Sequence, residues 1–145
     1  DENFSTLVAR ALQGLADEVD RVDSWEKALI HIETEKDDAV WADLRMPGTS
    51  EEQAIEYIAK LRKANRGIVI VVGSGFITPY VRARLDQIGV DSCFYKTGDF
   101  KAEQVASLIV LGMMRARMRN ENFNNKLLTK ALEWLSERYP TVAIP

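Results

Sequence analysis

One cysteine and one histidine are all that 145 residues provide of the two most versatile ligand side chains. A lone Cys93 makes no internal disulfide, and Cys93 with His31 is too small a set for a zinc site. Ser–His–Asp or Cys–His hydrolysis would have to run through His31, around which no supporting motif stands, so chemistry falls to carboxylates. Long apolar runs are also missing. The longest, 68–72 and 105–114, fall far short of the roughly 20 residues needed to cross a bilayer. No charged-then-apolar leader opens the chain, and the expectation is a cytoplasmic protein that meets no membrane. Charge of one sign is absent too: 19 Lys plus Arg stand against 22 Asp plus Glu, for a net −3 and a pI of about 5.3. That balance argues against direct nucleic-acid binding. What remains is 46% hydrophobic and 28% charged, a globular composition with enough chain for one core and too little for two ordinary domains.

Helix and strand patterns alternate along the chain. Phe4, Leu7, Val8, Ala11, Leu12 and Leu15 share a helical face. A short strand is expected at 18–22. Asp23 or Ser24 caps the next helix, with Glu26 in capping-box position for Asp23 and a stripe of Trp25, Ala28, Leu29 and Ile32. The apolar run 39–42 ends on Asp43, and Pro47-Gly48 breaks the chain. Ser50 with Gln53 starts a helix carrying Ala54, Ile55, Ile58 and Leu61. Residues 68–72 are apolar and β-branched throughout, as a parallel strand covered on both faces requires. Gly73-Ser74-Gly75 reads as a turn. Thr78 caps and Pro79 opens a helix through Ile88, closed by Gly89. A strand at 90–95 follows, and Asp99 caps a long helix from near Phe100. An amphipathic helix holding Phe123, Leu127, Leu128, Ala131, Leu132, Trp134 and Leu135 precedes Pro140, and 141–144 is strand-like. The alternation means an open, mostly parallel sheet with helices on both faces.

Ligands of such sheets sit at the carboxyl ends of the strands. Three polar residues end apolar strands here: Asp43, Ser74 and Lys96. A carboxylate, a hydroxyl and an ammonium converging on one crevice suit phosphoryl chemistry as nucleophile, donor and counter-charge.

These residues carry a resemblance. Asp43-Leu44-Arg45-Met46-Pro47-Gly48 resembles the phosphoacceptor loop of the bacterial response-regulator receiver domain, the CheY-like superfamily. Ser74-Gly75 resembles its Ser/Thr-then-small position, and Gly89-Val90-Asp91 with Lys96 its last strand and lysine. Asp1-Glu2-Asn3-Phe4 resembles the end of its acidic cluster and the start of its first helix. Asp43 follows Asp1 by 42 residues and Lys96 follows Ser74 by 22, intervals that suit the family. The resemblance covers residues 1 to about 112. It implies a flavodoxin-like, doubly wound, five-stranded parallel sheet whose first strand is missing or supplied otherwise. The receiver would occupy 1–119 and a C-terminal helical extension and tail 120–145.

Carried over, the resemblance implies that Asp43 accepts a phosphoryl group from a histidine kinase or phosphotransfer protein. Asp1, Asp43 and the backbone carbonyl of Arg45 would hold Mg²⁺, and Ser74 and Lys96 would ligate phosphoryl oxygens. The protein would be a signalling phosphoacceptor rather than an enzyme, with at most slow self-dephosphorylation, passing its signal to a downstream effector protein or domain. A homodimer through the helix at 100–119 is expected. Against this stands a pseudo-receiver: a binding or dimerisation module that never uses phosphate. Thr97 replaces the usual Pro after the lysine, Cys93 occupies the family's aromatic switch position, and Gly48-Thr49-Ser50-Glu51 lacks the usual Asp-Gly step. Phe94 and Tyr95 would face differently from that position on a strand.

Blander readings apply to the rest. His31 is expected at the surface or its boundary, Cys93 as a buried small hydrophobe, and Arg115, Arg117 and Arg119 as a solvated helix face. Trp134, Leu135 and Phe123 fit core or a dimer seam. The segment 121–139 is too short and, at Glu133 and Glu137, too acidic for a DNA-reading helix. The strand-like tail at 141–144 is the one spare piece for the first-strand slot.

Overall fold

A computed structural model describes residues 2–14, 19–35, 37–45, 48–75, 77–95, 101–119 and 124–138. Six helices and three strands follow in the order α1 (Glu2–Gln13), α2 (Trp25–Thr34), β1 (Ala39–Asp43), α3 (Glu51–Ala64), β2 (Val69–Ser74), α4 (Pro79–Ile88), β3 (Ser92–Tyr95), α5 (Ala102–Arg119) and α6 (Asn125–Arg138). The strands are parallel in the order β1-β2-β3, with Asp43 opposite Gly73 and Ser74 opposite Tyr95.

The middle strand organises everything else. All six residues of β2 are buried. Its alternation sends Ile70 and Val72 into one core, with Ile68 just before it, and Val69 and Val71 into another. The first core takes Trp25 and Ile32 of α2, Ala54, Ile55, Ile58 and Leu61 of α3, and Val81 and Leu85 of α4. The second takes Val8 of α1, Val105, Ile109, Val110 and Met113 of α5, and Ala131 and Trp134 of α6. Helices thus cover both faces, the doubly wound α/β arrangement expected from the alternating pattern. Gly112 lets α5 lie directly on the sheet, because a Cβ there would sit 2.5 Å from Val69 Cγ1.

Local signals set the helix ends. Ser50 and Gln53 exchange both capping-box bonds, at 3.2 and 2.9 Å. Thr78 accepts from Val81 N at 3.1 Å ahead of Pro79, and Gly89 closes α4 at φ 89°. At α2 the cap is Ser24, which accepts from Lys27 N. Asp23 instead pairs with the Lys27 ammonium at 2.8 Å, and Glu26 accepts a hydrogen bond from the Tyr57 hydroxyl.

Three sequence expectations need correction. Residues 19–22 form no strand, and position 18 lies outside the described residues. That stretch pairs with no neighbouring strand: Val19 is half-buried, Val22 is exposed, Asp20 reaches His31, and Arg21 reaches Thr6. The described sheet has three strands. The tail at 141–144 lies outside the described residues, as do Asp99 and Phe100. Gly73 and Ser74 are the last rungs of β2 instead of a turn, because β1 and β3 both extend far enough to pair there. Lastly, Arg115 is not simply solvated: its guanidinium donates to the Asp91 carbonyl at 2.6 Å.

Asp91 and Arg62 lock the entry ends of the strands. Arg62 donates from Nη1 to the Ile68 carbonyl at 2.6 Å, and from Nη2 to the Gly89 carbonyl at 2.9 Å and to Asp91 Oδ2 at 3.0 Å. The same carboxylate oxygen accepts from Ile70 N at 2.9 Å, and the Asp91 side chain is only 1% exposed. Removing it strands a buried N–H and a largely buried guanidinium. Asp91→Ala is therefore expected to lose about 3–5 kcal/mol of stability in urea unfolding. A loss below about 1 kcal/mol would show the tie to be dispensable.

Candidate functional site

The chain turns out of β1 at Asp43 through an Asx-type bond, the Arg45 N–H donating to Asp43 Oδ1 at 2.9 Å. Leu44 between them donates its N–H to the Gly73 carbonyl at 3.1 Å and buries its side chain in the core of α2, α3 and α4. The Asp43 carboxylate is thereby held at the sheet's C-terminal edge, half-buried. Ser74 ends the adjacent strand, one register row further along, and is fully buried. Parallel pairing thus brings two of the three expected residues to neighbouring strand exits. Lys96, Thr97 and Asp1 lie outside the described residues. The Arg45 carbonyl follows on the turn that Asp43 itself organises.

A feature that sequence reasoning missed lies beside Asp43. Asp43, Gly73 and Phe94 share one row across the three strands, and in-register residues of parallel strands point to the same face. Gly73 has no side chain, and the Phe94 ring occupies that space: a Cβ at Gly73 would meet Phe94 Cζ at 2.8 Å. The ring therefore lies across the strand that separates it from Asp43. The available signal was a glycine at the end of an otherwise β-branched strand, which marks a close approach. Cys93 faces the other way, half-buried against the core that holds α3 and α4, and burial pushes its thiol pKa up. Phe94 thus packs on the face opposite to Cys93 at the switch position.

Elsewhere, among the described residues, one group brings three ligand-type side chains within 4.8 Å: Asp20, His31 and Asp37. It lies at the entry of β1, while Asp43 lies at the exit of that strand. The two ring nitrogens of His31 face separate carboxylates, Nδ1 to Asp37 at 2.7 Å and Nε2 to Asp20 at 3.1 Å.

Neither a family model nor a curated protein matches the sequence. Solved structures do match. A CheY-like response-regulator receiver domain protein from Methanospirillum hungatei JF-1 superposes with a TM-score of 0.72 at 16% identity, over 83% of this chain and 92% of that one. A response regulator from Burkholderia pseudomallei, solved with a phosphorylated aspartic acid, a calcium ion and citrate, gives 0.65 at 21% identity, over 84% of this chain and 70% of that one. The Thermotoga maritima regulator DrrB, an OmpR/PhoB homologue, gives 0.62 at 18%, over 83% of this chain and 50% of that one. The chain has the receiver-domain fold. At these identities the likeness is one of fold, and within that fold Asp43 and Ser74 stand at neighbouring exits of the receiver sheet.

The Gly73–Phe94 contact makes a direct prediction. Gly73→Ala is expected to cost about 1–3 kcal/mol in chemical denaturation by overpacking. Adding Phe94→Leu should recover much of that loss, so that the two changes are non-additive. Additive losses would mean that the ring does not depend on the missing Cβ.

Proposed function

We propose that this receiver-fold protein accepts a phosphoryl group on Asp43 from the phosphohistidine of a histidine kinase or phosphotransfer protein. The reading rests chiefly on one observation: Asp43 and Ser74 end adjacent parallel strands, with the Asp43 carboxylate held by the Arg45 amide. In the transfer, an Asp43 carboxylate oxygen bonds to phosphorus as the P–N bond to the donor imidazole breaks. The departing nitrogen keeps the electron pair, and the imidazole takes up a proton. Ser74 would donate to a phosphoryl oxygen and Lys96 would balance its charge. The role is that of a signalling phosphoacceptor, not a turnover enzyme, with at most slow self-dephosphorylation.

A divalent cation fits the donor set. The Asp43 carboxylate and the Arg45 carbonyl are hard oxygens on one turn, the type of ligand that Mg²⁺ prefers while keeping several waters. These two, with Asp1, would hold it, and when bound it supplies positive charge between a carboxylate and an incoming anion. The calcium ion in the Burkholderia pseudomallei regulator supports divalent binding in this fold.

Signal output would go to a downstream effector protein or domain, from a receiver at 1–119 with its extension at 120–145. No helix among the described residues is long and apolar enough to cross a membrane, and a cytoplasmic setting fits a kinase partner. Homodimerisation through α5 is supported by Leu111 and Met118, seven residues apart on one helix and both exposed. A second reading, a pseudo-receiver that binds or dimerises without phosphate, draws on Cys93 at the switch position and on Phe94 packed over Gly73 instead.

Intact mass after treatment with acetyl phosphate and Mg²⁺ separates the two readings. The expected result is a gain of one phosphoryl group in the wild type and none in Asp43→Asn. No gain in a protein shown by circular dichroism to be folded would overturn the phosphoacceptor reading and leave the pseudo-receiver.

A further inference from the structure

We propose that His31 is a proton-operated clasp that fastens the connector between α1 and α2 to the end of α2 and to the entry of β1. Three separate pieces of chain meet at this ring. Asp20 lies on the connector, His31 in the last turn of α2, and Asp37 two residues before β1. The ring is a quarter exposed, Asp37 about as much and Asp20 somewhat more, so the cluster is partly shielded from solvent.

The geometry specifies the protonation state. A neutral imidazole has one N–H and one lone pair. Here both nitrogens stand at hydrogen-bond distance from carboxylate oxygens, 2.7 and 3.1 Å, and a carboxylate can only accept. Only the imidazolium, with two N–H groups, satisfies both contacts. Losing its proton turns one of them into lone pair against lone pair, and either the Asp20 or the Asp37 contact must open. A metal ion would need the same lone pair that the proton occupies, so the clasp and a metal site exclude each other.

The charges around the ring agree. From the connector it faces Asp20 and from the β1 entry Asp37. The next carboxylate, Asp38, turns toward Asn124. On its own helix the ionisable side chains one turn away are Lys27, engaged by Asp23 at 2.8 Å, and Glu35 just past the end. The C-terminal end of α2 favours a cation as well. Hydrogen bonding to Asp37 first, and then to Asp20, raises the His31 pKa above its ordinary 6.5 despite some desolvation. Because the folded-state value is the higher one, the clasp contributes fully below about 6.5 and is lost as pH rises through the raised value. Connector docking should therefore loosen as pH rises through that raised value, while α3, α4 and β2 stay intact.

His31 is the sole histidine of the chain, so its ring signals are unambiguous in NMR. A titration across roughly pH 5–8 should show two ring N–H groups at the acid end. The midpoint should lie above the ordinary histidine value and drop toward it in Asp37→Asn, with a smaller drop in Asp20→Asn. Amide exchange at residues 19–22, corrected for its intrinsic pH dependence, should accelerate along the same titration curve. In His31→Gln that pH dependence should disappear while circular dichroism remains that of a folded protein. A midpoint at the ordinary value, exchange at 19–22 that ignores the titration, or stoichiometric Zn²⁺ capture by the ring at acid pH would each overturn the clasp.

Discussion

The constraint on which the structure depends is that β2 is buried on both faces and paired on both edges. Such a strand has no solvent side, so polar side chains are excluded along its length and become affordable only where it leaves the sheet. Val69 to Val72 comply, and Ser74 is the first hydroxyl the strand carries. The neighbouring β1 obeys a softer form of the same rule. Its residues are mostly half-buried, and its one carboxylate, Asp43, stands at the exit. The position of these polar side chains at the C-terminal edge of this sheet is thus a consequence of burial.

The two ends of the strands have divided labour. At the entry end, Arg62 and Asp91 satisfy the carbonyls of Ile68 and Gly89 and the amide of Ile70, fixing where β2 and β3 begin. Arg115 brings α5 to the same point through the Asp91 carbonyl. At the exit end, the described contacts include an Asx-type bond at Asp43, a backbone bond from Leu44 to Gly73, and an aromatic ring laid over a glycine.

Much of this was legible in the residues. The β-branched run at 68–72 announced the central strand because a strand covered on both faces tolerates little else, and Ser50 with Gln53, Thr78 with Pro79, and Gly89 marked helix ends through chemistry that acts within four residues. The misses share one cause, which is distance along the chain. Arg62 and Asp91 are 29 residues apart, His31 and Asp20 are 11 apart, and no periodicity links such pairs. The span at 18–22 looked like a strand from Val19 and Val22, yet Asp20 turns to His31 and Arg21 to Thr6. Of the expected site residues, the strand-end positions of Asp43 and Ser74 could be read because each ends an apolar run. Phe94 could not, since only the fold puts it in the row of Asp43.

The central proposal is that Asp43, at the exit of β1, receives an anion beside the exit of β2. Amide NMR of the uniformly labelled protein, titrated with beryllium fluoride in the presence of Mg²⁺, tests it most directly, since the beryllofluoride adduct mimics an aspartyl phosphate. The account predicts saturable shifts concentrated at residues 43–45 and 73–75 and spreading to Phe94, all abolished in Asp43→Asn. Shifts that leave both strand exits untouched, or none at all in the folded protein, would contradict it.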